Sequence, residues 1–192
     1  QAMKANAVLV ISTSYPSAAD GSEAAGGFVA DFVRALSEHV AVRAVGPGRE
    51  EGPEDGAAVP TWRFSAGSRP LSLLSPLKPW HWPAILRALW SLRRQALAAS
   101  ADGCVAHVHA LWVLPSGWAA RVVARSLRIP YSVWALGSDI WSLGRLPVIR
   151  ALLASIARDA RAAYADGFQL ARDAEALCGR SFAFLPSCRG LS

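Results

Sequence analysis

Two glycines set against the start of an apolar helical stripe are the first feature of this sequence that could do chemistry. Gly26-Gly27 follows a strand-like run, Val8-Leu9-Val10-Ile11, and a loop of small and polar residues from Ser12 to Ala25. Phe28, Val29, Phe32, Val33 and Leu36 then recur at three- and four-residue steps and make one apolar helix face. A helix N-terminus presents unpaired N–H groups and a positive dipole end, and glycine lets a phosphate come close to the backbone. The same pair could equally do no more than cap and pack the helix. A second feature is His107 and His109, two apart on one strand and therefore on one face. They could share a metal, but no third ligand type lies nearby in sequence; a histidine closing a buried strand can also simply bond a backbone carbonyl. A third is the interleaving of Trp62, Trp80, Trp82 and Trp90 with Arg63, Arg69, Lys78, Arg87, Arg93 and Arg94. Cations mixed with amphipathic aromatics suit a membrane surface; solvated arginines over core tryptophans are the alternative. The core reading is preferred for Trp90, which shares one side of a helix with Leu86, Leu89, Arg93 and Leu97. No nucleic-acid recognition motif accompanies the charge.

These features need elements to hold them. Strands are expected at 8–11, 40–45, 57–64 (weakened by Pro60), 104–109, 129–135, 166–170 and 181–185. Helices are expected over 26–36, 83–100, 115–128, 147–160 and 172–177, several opened by proline. The segment 46–56 reads as a solvated acidic loop, and 65–79 as a loop without period. Alternation of this kind predicts an α/β fold: a doubly wound, mostly parallel, Rossmann-like sheet with helices on both faces. Ligands in such sheets sit beyond the carboxyl ends of strands, here the loops 12–27, 109–115 and 136–145.

A chain of 192 residues that is 53% hydrophobic is enough for one domain with a substantial core. Its net charge of +6 is uneven: between Gly56 and Ser138 there are nine bases and one acid, Asp102. Such asymmetry points to an anionic partner. Cys104, Cys178 and Cys188 show neither a metal-type spacing nor a disulfide framework, which suits a reducing compartment. No apolar run approaches membrane-spanning length, so the expected location is cytoplasmic. Gln1-Ala2 ahead of Met3 reads as a cloning remnant.

Taken in order, the loop motifs resemble those of family-4 retaining glycosyltransferases. The segments concerned are Ser12-Thr13-Ser14-Tyr15-Pro16 with Gly26-Gly27-Phe28, His107-Val108-His109-Ala110-Leu111-Trp112 with Pro115-Ser116-Gly117, Ala135-Leu136-Gly137-Ser138-Asp139-Ile140, and Phe184-Leu185-Pro186. The resemblance spans about Val8 to Pro186. It implies the N-terminal, mainly acceptor-binding half of a GT-B arrangement over residues 3–186, with 187–192 opening the linker to an absent donor-binding domain. It further implies a nucleotide-sugar co-substrate, no permanently bound cofactor or metal, and a glycan or lipid-linked acceptor. By the same resemblance Gly26, Gly27 and Phe28 lie against the donor diphosphate, and His109 is the single catalytic candidate. Tyr15, His109, Trp112, Ser138 and Asp139 would meet the acceptor; each could instead be structural, Ser138 and Asp139 as turn and cap formers. Lys78, Trp80, Trp82, Arg87 and Arg94 would face an anionic membrane, placing the protein peripherally on its inner side. One departure stands out: Leu136 occupies a position where family members often have His, and leucine cannot act as a base. A GT-B-like sugar-nucleotide epimerase and a non-catalytic phosphate- or lipid-surface-binding module are the competing readings.

Overall fold

The computed structural model describes residues 6–16, 23–65, 67, 71 and 74–187. Most of the expected linker, together with Cys188 and Arg69, lies outside the described residues. The elements in chain order are β1 (Ala7–Ile11), α1 (Glu23–Ser37), β2 (Ala41–Gly48), β3 (Gly52–Glu54), β4 (Thr61–Ser65) and α2 (Trp82–Ala98). They continue with β5 (Val105–Leu111), α3 (Ser116–Leu127), β6 (Tyr131–Ala135), α4 (Ser138–Trp141), α5 (Pro147–Asp159), β7 (Ala162–Ala165), α6 (Phe168–Cys178) and β8 (Ala183–Phe184).

The eight strands form one sheet in the order β3-β4-β2-β1-β5-β6-β7-β8. Every pairing is parallel except β3 against β4. The run Leu9-Val10-Ile11 is buried on both sides, as a central parallel strand requires. From β1 the chain winds outward through β2 and β4, then crosses back to lay β5 on the other flank. The strand order therefore reverses between β1 and β5, the switch point where such sheets open a crevice at their carboxyl ends.

The two faces are covered unequally. Val29 and Val33 of α1 pack with Val10, Val42, Ala44, Leu111 and Trp134 on one face. Leu92 of α2, Ala120 and Val123 of α3, Leu153 and Ile156 of α5 and Leu170 of α6 pack with Leu9, Ile11, Val108, Ala110 and Val133 on the other.

Three elements differ from the sequence-based expectation. The α1 helix begins at Glu23, upstream of the two glycines. The acidic loop contains β3, whose antiparallel bridge to β4 is a tertiary contact that its Gly-Pro-Glu sequence does not announce. The strand expected at 166–170 lies instead at 162–165, and α6 takes over from Phe168. Ala162-Ala163-Tyr164-Ala165 reads locally as the tail of the preceding helix, but pairing Ser132 with Ala162 and Ala135 with Ala165 overrides that propensity.

Candidate functional site

The loop leaving β1 turns back against α1, and Gly26 is what allows it. A Cβ on Gly26 would stand 1.9 Å from the Ser14 carbonyl oxygen and 2.8 Å from Pro16 Cδ. Its role in the structure is therefore close backbone packing. At Gly27 a Cβ would meet nothing within 4 Å among the described residues, so on their side this glycine has room for a side chain. Because α1 starts at Glu23, the free N–H groups belong to residues before Gly27, whose own N–H falls within the intrahelical ladder.

Arg63, counted among the free bases on sequence alone, is 6% exposed and holds this loop in place. Its guanidinium donates to the carbonyls of Tyr15 (3.0 Å), Pro16 (2.7 Å) and Pro47 (3.2 Å) and to Glu54 Oε2 (2.7 and 2.9 Å). It also lies over the Tyr15 ring at 5.1 Å. Burial raises the Tyr15 phenol above its ordinary pKa. The sequence signal for Arg63 was a lone cation inside the strand Thr61-Trp62-Arg63-Phe64-Ser65, which demands a buried partner.

Asp139 takes the structural one of its two expected roles. It is fully buried, and both carboxylate oxygens are spent on backbone. Oδ2 accepts from Val113 N (2.7 Å), and Oδ1 from Gly137 N (3.1 Å), Ile140 N (3.1 Å) and Leu136 N (3.4 Å). Burial raises its pKa and these N–H donors oppose that shift. The carboxylate thus ties the loop after β5 to the loop after β6 rather than offering itself to a hydroxyl. Ser138 beside it is exposed. Trp112, next to Val113, sits at φ 72°, a left-handed conformation that costs a bulky residue about 1–2 kcal/mol. Its N–H donates to Trp134 O (2.9 Å) and its carbonyl accepts from Gly117 N (3.2 Å). Phe28 meets its ring edge-on at 6.1 Å. Leu136 packs into the same cluster with Phe28, Trp112 and Tyr15, an apolar setting that suits leucine.

His109 lies beneath this rim. It is 6% exposed, with Phe32, Trp134 and Tyr164 rings around it at 5.4–6.2 Å. Its Nδ1 is 2.7 Å from Ser132 Oγ, which also lies 2.8 Å from His107 Nε2; His109 Nε2 has no partner among the described residues. One hydroxyl hydrogen serves two rings, so one ring accepts it and the other donates an N–H back. Burial, then the neighbouring His107, lowers the His109 pKa to about 4, and burial lowers that of His107. The His109 ring is therefore neutral at physiological pH. Their partner Ser132 gave no signal in the sequence, because only strand pairing puts it opposite.

On α2 the expected orientation is reversed for two residues. The buried face is Ala88, Ser91, Leu92, Gln95 and Ala96. Trp90 is 61% exposed with Arg93 above its ring at 5.4 Å, and Leu86 is also turned outward. Trp82, Leu86 and Trp90 fall at four-residue steps on one face of α2, and with Leu77 and Trp80 just ahead of that helix each is more than half exposed. The charge asymmetry is reduced by folding: Arg63, Arg94, Arg121 and Arg125 pair with Glu54, Glu51 and Asp159 from outside the basic span. Lys78, Arg87 and Arg93 keep no acidic partner among the described residues. Among the described residues no helix is long and apolar enough to cross a membrane.

A doubly wound, mostly parallel sheet whose strand order reverses between β1 and β5 is a Rossmann-like α/β domain. Within that class the chain has the fold seen in the Rossmann-like domains of GT-B glycosyltransferases. It superposes on a piece of sucrose-phosphate synthase from Thermosynechococcus elongatus with a TM-score of 0.63 and 14% identity, over 97% of this chain and 90% of that one. Against the longer chain of the same enzyme the TM-score is 0.65 at 16% identity, over 94% of this chain and 47% of that one. An α,α-trehalose-phosphate synthase from Burkholderia vietnamiensis gives 0.55 at 16% identity, over 90% and 42%. The chain thus spans about half the length of these longer enzymes. No protein-family model matches the sequence, and no curated protein matches it.

Proposed function

We propose that this chain is the N-terminal, mainly acceptor-binding half of a retaining glycosyltransferase, taking a nucleotide-sugar as co-substrate and a glycan or lipid-linked acceptor. The observation that supports it is the room at Gly27 among the described residues, one residue before Phe28, whose ring meets Trp112 of the loop after β5. The donor diphosphate would lie against Gly27 and be held chiefly by a second domain. Retention fits three described rim residues that offer no free base: Leu136 is apolar, Asp139 is spent on backbone and His109 is buried. The acceptor hydroxyl then attacks on the face the diphosphate leaves, its proton passing to the departing phosphate oxygen. Calorimetry with UDP-, GDP- and ADP-sugars tests the division of labour. This chain alone should bind them more weakly than micromolar and transfer nothing, while the full-length protein should do both; micromolar binding by this chain alone would contradict it.

We further place the protein peripherally on an anionic membrane, on its cytoplasmic side, through α2. The strip Leu77, Trp80, Trp82, Leu86 and Trp90, flanked by Lys78, Arg87 and Arg93, supports this reading. Arg94, also expected there, is exposed but pairs with Glu51. The protein should sediment with anionic vesicles and release as salt rises, since exposed charge is screened over about 8 Å at physiological ionic strength. Equal binding to neutral vesicles, or none, would remove the membrane from the account.

A further inference from the structure

Trp141 is an aromatic that neither the motifs nor the composition singled out. It lies at the carboxyl rim, just after β6, and is 49% exposed. An exposed tryptophan usually has rotational freedom; this one does not. Its backbone N–H donates to Gly137 O at 2.8 Å. Its indole Nε1–H donates to Asp173 Oδ2 at 2.8 Å, and Asp173 Oδ1 accepts from Gln169 Nε2 at 2.9 Å. The Cε3–Cζ3 edge rests against Gly137, where a Cβ would come within 3.2–3.3 Å; φ there is +118°, which glycine alone adopts readily. The ring is thus held by a hydrogen bond at one end and by backbone at the other, with part of its surface open to solvent.

With its N–H spent, the indole has no hydrogen bond left to offer. What it presents is a flat, electron-rich π surface at the end of α4, three residues after the exposed Ser138. Such a surface complements a ligand with an electropositive C–H face and a hydroxylated rim, as a pyranose ring has. Because the ring is already immobilised, binding costs little side-chain entropy. We propose that Trp141 is the stacking platform for a pyranose ring of the acceptor. This rests on reading the chain as the acceptor half, but the contact can be measured without any transfer activity.

The probes are methyl glycopyranosides of glucose, galactose, mannose and N-acetylglucosamine, titrated into this chain while the indole N–H resonances are followed by NMR. The Trp141 signal is identified by its loss in Trp141→Phe. It should shift saturably with at least one probe. Trp141→Ala should weaken that binding about tenfold, the upper end for an aromatic contact. Trp141→Phe should retain part of it, and Asp173→Ala, which frees the ring, should fall between. A stationary Trp141 signal across the panel, a shift with UMP, GMP or AMP but with no glycoside, or unchanged binding in Trp141→Ala would each overturn the platform. The transfer reading fails separately: a full-length protein that neither binds nor hydrolyses sugar-nucleotides would refute it, while a saturable Trp141 shift would still leave a sugar-binding site.

Discussion

Asp139 and Trp90 occupy opposite situations. Asp139 is the most polar residue of a loop motif, yet it is fully buried and donates nothing to the surface; its carboxylate organises four backbone N–H groups. Trp90 belongs to an apolar helical stripe, yet 61% of it faces solvent. Residue type pointed the wrong way in both regions. What separates them is satisfaction: every lone pair of Asp139 that the fold can reach is used, whereas the apolar surface around Trp90 is left uncovered. A polar residue with its partners already in the fold is scaffold, and an apolar residue that the core leaves uncovered, with only Arg93 over its ring, is available.

The largest expected effect breaks the first half of that contrast. Asp139→Ala leaves several buried N–H groups without an acceptor and should cost on the order of 3 kcal/mol or more, read by urea unfolding. A variant as stable as the parent would mean that the carboxylate is not structural and is free to meet a ligand.

Acid sharpens the picture at His109. Its folded pKa, about 4, lies below the ordinary 6.5 because burial, then His107, penalises the charged ring. A group whose folded pKa is depressed contributes stability that is complete above 6.5 and is lost as pH falls toward 4. The loss from this residue should approach about 3 kcal/mol. His109→Gln should flatten that part of the stability–pH curve, and an unchanged curve would show that His109 charges freely in the folded state.

The paired glycines should also separate. Gly26→Ala drives a methyl into the Ser14 carbonyl and should cost about 1–3 kcal/mol. Gly27→Ala adds a methyl that meets no described atom, within a helix, and should gain about 0.5–1 kcal/mol. Equal effects would refute the difference in their surroundings. The smallest effect belongs to the α2 strip: Trp80→Ala and Trp90→Ala should change thermal stability by no more than about 0.5 kcal/mol. A large loss would mean that the strip is core.

Legibility followed the range of the interactions involved. Strands with strong local pattern, such as Val8-Leu9-Val10-Ile11, and helices opened by proline, such as that at Pro147, were readable because periodicity and backbone chemistry are written within a few residues. The β3 edge, the alanine strand at 162–165 and the Ser132 bridge were not, because each exists only through pairing with a distant strand. The stripe on α2 was visible but its orientation was not. Leu86 and Trp90 fit one helical face, while the face that packs on the sheet uses the smaller Ala88, Ser91 and Ala96 with Leu92, since α2 lies close over β4. Loop motifs located the rim correctly at the carboxyl ends of β1, β5 and β6, but could not say which of their residues the fold itself consumes.

The central claim is that the room at Gly27 receives the donor diphosphate, and Gly27→Asp in the full-length protein tests it most directly. No described atom would obstruct the new side chain, so the fold should survive. The carboxylate would fill the phosphate's place and repel it. Transfer and thermal unfolding, measured together, should show a loss on the order of 10²–10³ in rate, the scale of one electrostatic contribution at a reacting centre, with a near-normal melting temperature. A well-folded Gly27→Asp protein that transfers sugar at the parent rate would contradict the account.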